Sequence, residues 1–399
     1  MAIFNPFLPS FTANPYPAYA ALRASEPVHF STTLQSWILT SYEVCDHVLR
    51  DPQLFSNNPL LATSPIARQF QEQRREFPLG LVSTVLNSDA PVHTRLRGIV
   101  SRAFTPRVIE GLRGRIEEIT TELLDEAPTD EPFDLVASLA RPLPVVVIAE
   151  LLGVPDSDRE LFKEWSTAIA GFATSLFSTP ETVATTKIAA TELVAYLSGF
   201  VEERRRVPQE DLISALVQAE DGGSQLTREE LLAFTIVLLV AGHETTINLI
   251  DNGALALLDA PEQVALLRAD PALVPGAVEE FLRFDSPVQG LIRIATSDTE
   301  LGGVPIAKGD ALTVMIGAAN RDPARFPDPD RLDVRREDNK HLSFGLGPHF
   351  CLGAPLARLE AQVAFDALLA RFPSISLAGK PERGGTFVLR GLTRLPVQA

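Results

Sequence analysis

The sequence predicts a mainly α fold with a minor β portion, and three observations carry the prediction. Apolar residues from Pro91 to Gln218 recur at helical spacing, interrupted chiefly where prolines stand. A single unbroken helical pattern runs from Thr227 to about Leu258. Segments with strand character are short and fall in the first quarter and the last third. No Gly/Ser-rich linker, charge block or repeat divides the 399 residues, so 1–399 is expected to form one domain.

Taken in order, Ala18 to Ser25 reads as a helix, and Val28 to Phe30 with Trp37 to Leu39 as a small hairpin. Ser41 to Leu49 is an amphipathic helix that places Cys45 in the core. The central helices break at Thr105-Pro106, Pro132, Pro142 to Pro144, Pro155 and Thr179-Pro180, because proline lacks a donor and clashes with the preceding turn. The long helix opens at Thr227-Arg228-Glu229-Glu230, a capping box in which residues 227 and 230 satisfy each other's amides. It ends before Pro261, and at about 1.5 Å per residue it spans on the order of 45 Å, enough to run through the whole core. Ile292 to Ala295, Glu300 to Leu301, Val304 to Ile306 and Ala311 to Met315 read as strands joined by glycine turns. Ala354 to Phe372 reads as a helix, and a second small sheet is expected around Phe387 to Leu389.

Bulk properties exclude several classes. A formal net charge of −16 argues against a nucleic-acid partner, since phosphate backbones need basic surfaces. Two cysteines cannot form a disulfide framework and fit a reducing, cytoplasmic setting. The first basic residue is Arg23 and prolines interrupt Met1 to Tyr19, so no secretory leader is expected. The apolar span Leu231 to Ala241 falls short of the roughly 20 residues a bilayer crossing takes, so no membrane anchor is expected.

The most informative stretch is Phe344-Gly345-Leu346-Gly347-Pro348-His349-Phe350-Cys351-Leu352-Gly353. Glycines before the sulfur permit a tight, partly left-handed backbone, and Gly353 after it allows a planar ring to approach. Because a helix follows, amides and the helix dipole would favour a thiolate. With no second cysteine nearby, a four-ligand zinc site is a poor fit. A thiolate donating to haem iron promotes O–O cleavage on the opposite side.

Three further segments carry polar groups where a core pattern would not need them. In Ala241-Gly242-His243-Glu244-Thr245-Thr246 a glycine sits mid-helix at a cost of about 1 kcal/mol relative to alanine. The threonines can bond back to the previous turn and bend the helix, and Glu244 with Thr245 can relay protons. His243 faces away from Gly242 and is expected to be structural. Glu280 and Arg283 lie three apart on one helix face, and Arg331 is the expected second guanidinium on Glu280. His93 and Arg97, four apart, share a face and can clamp haem propionates, with Arg293 and His349 as further donors.

Together these motifs resemble the soluble bacterial cytochrome P450 family over essentially the whole chain. The resemblance implies a P450 fold with haem b between the long distal helix and the proximal Cys loop, and Cys351 as axial thiolate on iron. Phe344, Gly345, His349 and Gly353 belong to the haem-binding signature. Glu244 and Thr245 match the distal acid-alcohol pair, Glu280, Arg283 and Arg331 the structural triad, and His93, Arg97, Arg293 and His349 the propionate positions. Leu332 departs from the phenylalanine the family often has there.

The implied function is that of a monooxygenase. It takes two electrons from a separate ferredoxin or flavodoxin with its reductase, because the chain has no flavin domain or iron–sulfur cysteine set. It uses dioxygen to hydroxylate or epoxidise a lipophilic small molecule. A peroxide-driven hydroxylase and a non-catalytic haem-binding sensor are the alternatives. Arg95, Arg102 and Arg358 are candidate docking residues for the electron donor. Pocket walls are expected at Leu81, Val82, Phe172 to Phe177, Val240, Ala241, Val288, Leu291, Ile292, Phe387 and Val388. They are mainly apolar, and suit a terpenoid, steroid, fatty-acid or polyketide held by burial. Arg68, Arg74 and Arg75 could meet a carboxylate, although a solvated face is the favoured reading.

Overall fold

A computed structural model of the chain describes residues 4–128, 130–173, 179–219 and 223–399. Its central element is the helix Arg228–Leu258. The capping box forms as expected: Thr227 Oγ1 accepts from the Glu230 amide at 3.2 Å, and Glu230 Oε2 accepts from the Thr227 amide at 2.9 Å. The helix is long and apolar enough to cross a bilayer by length and composition, where the shorter apolar span had suggested otherwise. Its faces are nevertheless occupied by protein, with the helices Pro142–Leu152, Arg159–Ala173, Val274–Phe284 and Ala354–Arg371 and the strand Arg390–Arg394 all packing on it. Helices approach it closely at Gly253, where a Cβ would stand 2.7 Å from the Phe365 ring and 2.9 Å from that of Phe281. Glycine there lets three helices meet.

One five-stranded sheet runs in the order Val28–Ser31, Ser36–Leu39, Ala311–Val314, Leu291–Ala295, Phe55–Ser56. It is antiparallel except between Ser36–Leu39 and Ala311–Val314. Distant parts of the sequence therefore share one sheet, and Arg293 lies on its fourth strand. Cys45 is fully buried in the helix Tyr42–Arg50.

The second small sheet expected around Phe387 to Leu389 forms as the antiparallel pair Glu382–Gly385 and Arg390–Arg394, with Phe387 to Leu389 in the connection between the two strands. Gly385 turns the chain with φ +97°, and the Thr386 hydroxyl then accepts from the amides of Val388 and Leu389 at 3.2 and 3.1 Å. The turn docks on the segment before the central sheet through Gln289 N to Val388 O at 2.7 Å.

Candidate active site

The Cys loop takes the shape its glycines permit. Gly345 and Gly347 both have φ +66°, a region that strains any side-chain-bearing residue. The loop is closed by the Cys351 amide donating to Phe344 O at 2.8 Å and by the Gly345 amide donating to Leu342 O at 2.8 Å. A Cβ on Gly347 would lie 2.9 Å from Leu49 O, so glycine also lets the loop lie against the helix Tyr42–Arg50. Gly353 caps the helix Ala354–Arg371, and Cys351 lies just ahead of it, partly exposed. The expected thiolate preference is not met by the chain alone. Burial raises the Cys351 thiol above its ordinary value, against the opposing pull of the Gly353 and Ala354 amides and the Arg97 and Arg358 guanidiniums. Ligation to a metal ion would reverse that balance, because a coordinated thiol gives up its proton.

Near this loop stands a set of basic groups whose donors are unspent. His93, on the helix Val92–Ser101, is buried, and its Nε2 has no hydrogen-bond partner. Its ring lies 4.1 Å, centroid to centroid, from that of His349, whose Nδ1 is 3.2 Å from Val85 O. Arg293 is 5% exposed, and its one side-chain hydrogen bond among the described residues goes to the Ile292 carbonyl at 2.9 Å. Arg97 makes no ion pair or side-chain hydrogen bond among the described residues. Burial holds Arg293 down to about 10, and burial with the neighbouring His93 and Arg293 holds His349 down to about 4. His93 is lowered by burial and then by Arg97. At neutral pH the set is thus two guanidiniums and two neutral imidazoles rather than four cations. The carboxylate of Asp89 is near, but it already accepts from the Ser56 hydroxyl and from the Asn57 amide at 3.0 Å. Two unpaired guanidiniums with two imidazole donors fit a group bearing two carboxylates, as haem does.

On the long helix, Ala241 is exposed and Gly242, Glu244 and Thr245 partly so, although the helix is otherwise largely buried. Thr245 Oγ1 donates to Ala241 O at 2.8 Å and Thr246 Oγ1 to Gly242 O at 3.2 Å. The helix is not broken there, because the hydroxyls share carbonyls instead of displacing amides. His243 points away into the core, with Nδ1 2.6 Å from Leu239 O and Nε2 3.4 Å from the Ser166 hydroxyl.

Glu280 and Arg283 are wholly buried and bidentate, both contacts being 2.8 Å. The second guanidinium on Glu280 is Arg336, not Arg331: its Nε lies 3.1 Å from Oε2. Arg331 is 67% exposed at its side chain and pairs with Asp333 at 3.0 Å. The reason is the turn at Asp328, φ +45°, closed by Arg331 N to Asp328 O at 3.1 Å. It leaves the Arg331 carbonyl inward, accepting from Arg283 Nη2 at 3.2 Å, and its side chain outward. Asn339 Nδ2 and the Asp333 amide complete the carboxylate's shell at 3.1 and 2.9 Å.

The fold agrees with the comparisons to known proteins. The cytochrome P450 family model matches residues 30–270 and 268–383. The chain belongs to the cytochrome P450 family. It is 45% identical to cytochrome P450 monooxygenase PikC of Streptomyces venezuelae over 97% of this chain and 92% of that one. It is 42% identical to 6-deoxyerythronolide B hydroxylase of Saccharopolyspora erythraea, over 98% and 97%. The solved structure of the bacillaene polyketide synthase P450 PksS of Bacillus subtilis superposes with a TM-score of 0.89 at 39% identity, covering 99% of both chains. As a cytochrome P450 it is an oxidoreductase that binds haem b through an axial cysteine thiolate and uses dioxygen to hydroxylate a small molecule, with electrons from redox partners.

Of the expected pocket walls, Ala241, Ile292 and Leu81 are exposed, the last two at 48% and 53%, despite being apolar. Val82, Val240, Val288, Leu291 and Val388 are half-buried, and Leu291 also touches the Cys loop, 3.7 Å from the Cβ position of Gly345. Phe387 is half-buried, and its ring packs on Phe4 and Phe11 at 6.1 and 6.5 Å. Phe172 is buried against Phe77 at 4.6 Å, and residues 174–177 lie outside the described residues. Arg95 and Arg358 are engaged within the chain, Arg95 by Glu230 and Arg358 by Glu279 at 2.7 and 2.8 Å. Sequence reasoning missed Arg336, Asn339 and the buried Glu360, whose Oε2 has no partner.

Proposed function

We propose that Cys351 is the axial ligand of this P450 and that His93, Arg97, Arg293 and His349 hold the haem propionates. Bound there, haem iron supplies the activation of dioxygen for oxygen insertion into the substrate. The observation that carries the reading is the cradle of two unpaired guanidiniums and the orphaned His93 Nε2, groups whose burial makes sense only with an anionic partner. Glu244 and Thr245 would take up protons from solvent and hold them on the carboxylate and hydroxyl facing the distal side. Their retention favours dioxygen over a peroxide-driven cycle, which does not need them. Phe344, Gly345 and Gly353 shape the loop around the sulfur, and Glu280, Arg283 and Arg336 hold the segments behind it. Exposed apolar side chains at Leu81, Ala241 and Ile292 support a lipophilic substrate. A separate ferredoxin or flavodoxin with its reductase would supply electrons, in the cytoplasm.

The test is the visible spectrum of the dithionite-reduced holoprotein under carbon monoxide. The expected result is a strongly red-shifted Soret band that Cys351→Ala abolishes. A band at the position given by a neutral axial ligand would overturn the Cys351 assignment.

A further inference from the structure

Between the helices Pro65–Arg75 and Val92–Ser101, a cavity of about 290 Å³ is lined by Asn58, Arg74, Leu81, Ser83, Asp89 and Val92 among others. That is smaller than the pockets that enclose whole drug-sized ligands, and suits a head group. Three of its lining side chains carry unspent donors. Arg74, in the last turn of the helix Pro65–Arg75, is half-buried and makes no side-chain hydrogen bond or ion pair among the described residues. Asn58 Oδ1 caps the turn at Leu60, which leaves its Nδ2 without a partner among the described residues, and the Ser83 hydroxyl has none among them either. The acceptors are spent. Asn87 Oδ1 takes the Thr84 amide at 2.6 Å, and both oxygens of Asp89, the sole acid in the lining, are occupied by Ser56 and Asn57. Asp89 acts electrostatically on His93, Arg293 and His349, whereas burial alone perturbs Arg74, downwards. None of the four cradle residues lines this cavity, so it is separate from the propionate donors. Gly80 is required for its shape, because a Cβ there would lie 1.9 Å from the Arg74 carbonyl oxygen.

We propose that this cavity binds the carboxylate of an amphiphilic substrate, with Arg74 as its anchor and Ser83 and Asn58 as auxiliary donors. Exposed Leu81 at its rim and Val92, next to His93, would lead the apolar chain towards the distal side. The proposal rests on the monooxygenase reading and narrows it to chain-bearing acids over neutral steroids and terpenoids.

Dodecanoate and dodecan-1-ol are titrated at pH 8 into holoprotein, with dissociation constants read by calorimetry and by the Soret shift. Arg74→Gln is expected to weaken dodecanoate about tenfold, the loss of one charge-assisted hydrogen bond, and to leave dodecanol within about twofold. Arg74→Lys should recover part of the loss, Ser83→Ala should lose about threefold, and Arg75→Gln, on the exposed neighbour, should change neither ligand. No dodecanoate binding by the parent protein, equal weakening of acid and alcohol, or an unchanged acid affinity in Arg74→Gln would each overturn the anchor. The carbon monoxide spectrum of the same samples separates that outcome from failure of the thiolate assignment, since Arg74 variants should keep the red-shifted band.

Discussion

Around Glu280 every charge has found its partner inside the chain. Arg283 covers both carboxylate oxygens and sends its remaining donors to the carbonyls of Asn320, Pro329 and Arg331. Arg336 and Asn339 fill what is left. Around His93 and Arg293 the opposite holds, with buried donors facing one another and no carboxylate accepting from them. Both regions bury guanidiniums, yet one is self-sufficient and the other is complete only with an outside anion. The first is what a scaffold requires, because half of a buried ion network costs more than none. The second is what a cofactor site requires, because its affinity comes from donors that have no competing partner. A P450 apoprotein should therefore be locally strained at the cradle and relaxed at Glu280.

Removing the self-sufficient centre should have the largest effect. Glu280→Ala leaves two guanidiniums buried without an anion and is expected to cost about 4 kcal/mol in urea unfolding, with failure to retain haem. A variant that folds to a stable holoprotein would remove the scaffold role. Next comes Glu360, a buried carboxyl with no partner on Oε2, raised by burial to about 8. The folded chain keeps that proton up to about pH 8, whereas the unfolded chain releases it near 4.5. Unfolding therefore releases a proton between these values, and stability falls as pH rises across the window. Glu360→Gln should remove that slope, gaining about 3 kcal/mol over the parent at pH 8.5 relative to pH 5. Parallel pH profiles for the two proteins would show that Glu360 is solvated. Smaller again is Arg293→Leu. With no carboxylate to lose, the apoprotein should gain about 2 kcal/mol, while haem should transfer to apomyoglobin at least about tenfold faster. A destabilised apoprotein would mean that Arg293 has a partner within the chain.

The parts of this architecture written in local sequence were readable in advance. The capping box at Thr227, the proline stop at Pro261 and the two left-handed glycines before Cys351 each depend on a few neighbouring residues. So do His93 and Arg97, four apart on one helix. What escaped depends on where distant segments meet. That His349 is held down follows from its burial and then from His93 and Arg293, which two other elements bring beside it across distant stretches of sequence. That Phe387 packs on the N-terminal aromatic cluster depends on Phe4 and Phe11, which no local pattern ties to it. Glu360 reads as one of several charges on an amphipathic helix, and only the packed structure shows it to be buried.

The triad shows the same limit on the smallest scale and gives the sharpest contrast between neighbours. Arg331, Arg335 and Arg336 stand within six residues, and helix-face arithmetic on Glu280 and Arg283 says nothing about which of them turns inward. The choice is made by the left-handed residue Asp328, which directs the Arg331 carbonyl inward to Arg283 and its guanidinium to solvent. Arg331→Ala keeps that carbonyl and loses one exposed pair to Asp333, so its unfolding free energy should stay within about 0.5 kcal/mol of the parent. Arg336→Ala removes a guanidinium that reaches Glu280 and the Pro327 carbonyl, at 3.1 and 3.0 Å, and should cost about 2 kcal/mol. Urea midpoints of the two variants decide the matter. A larger loss for Arg331 than for Arg336 would return the triad to the residue expected from sequence and would mean that the turn at Asp328 is placed differently in solution.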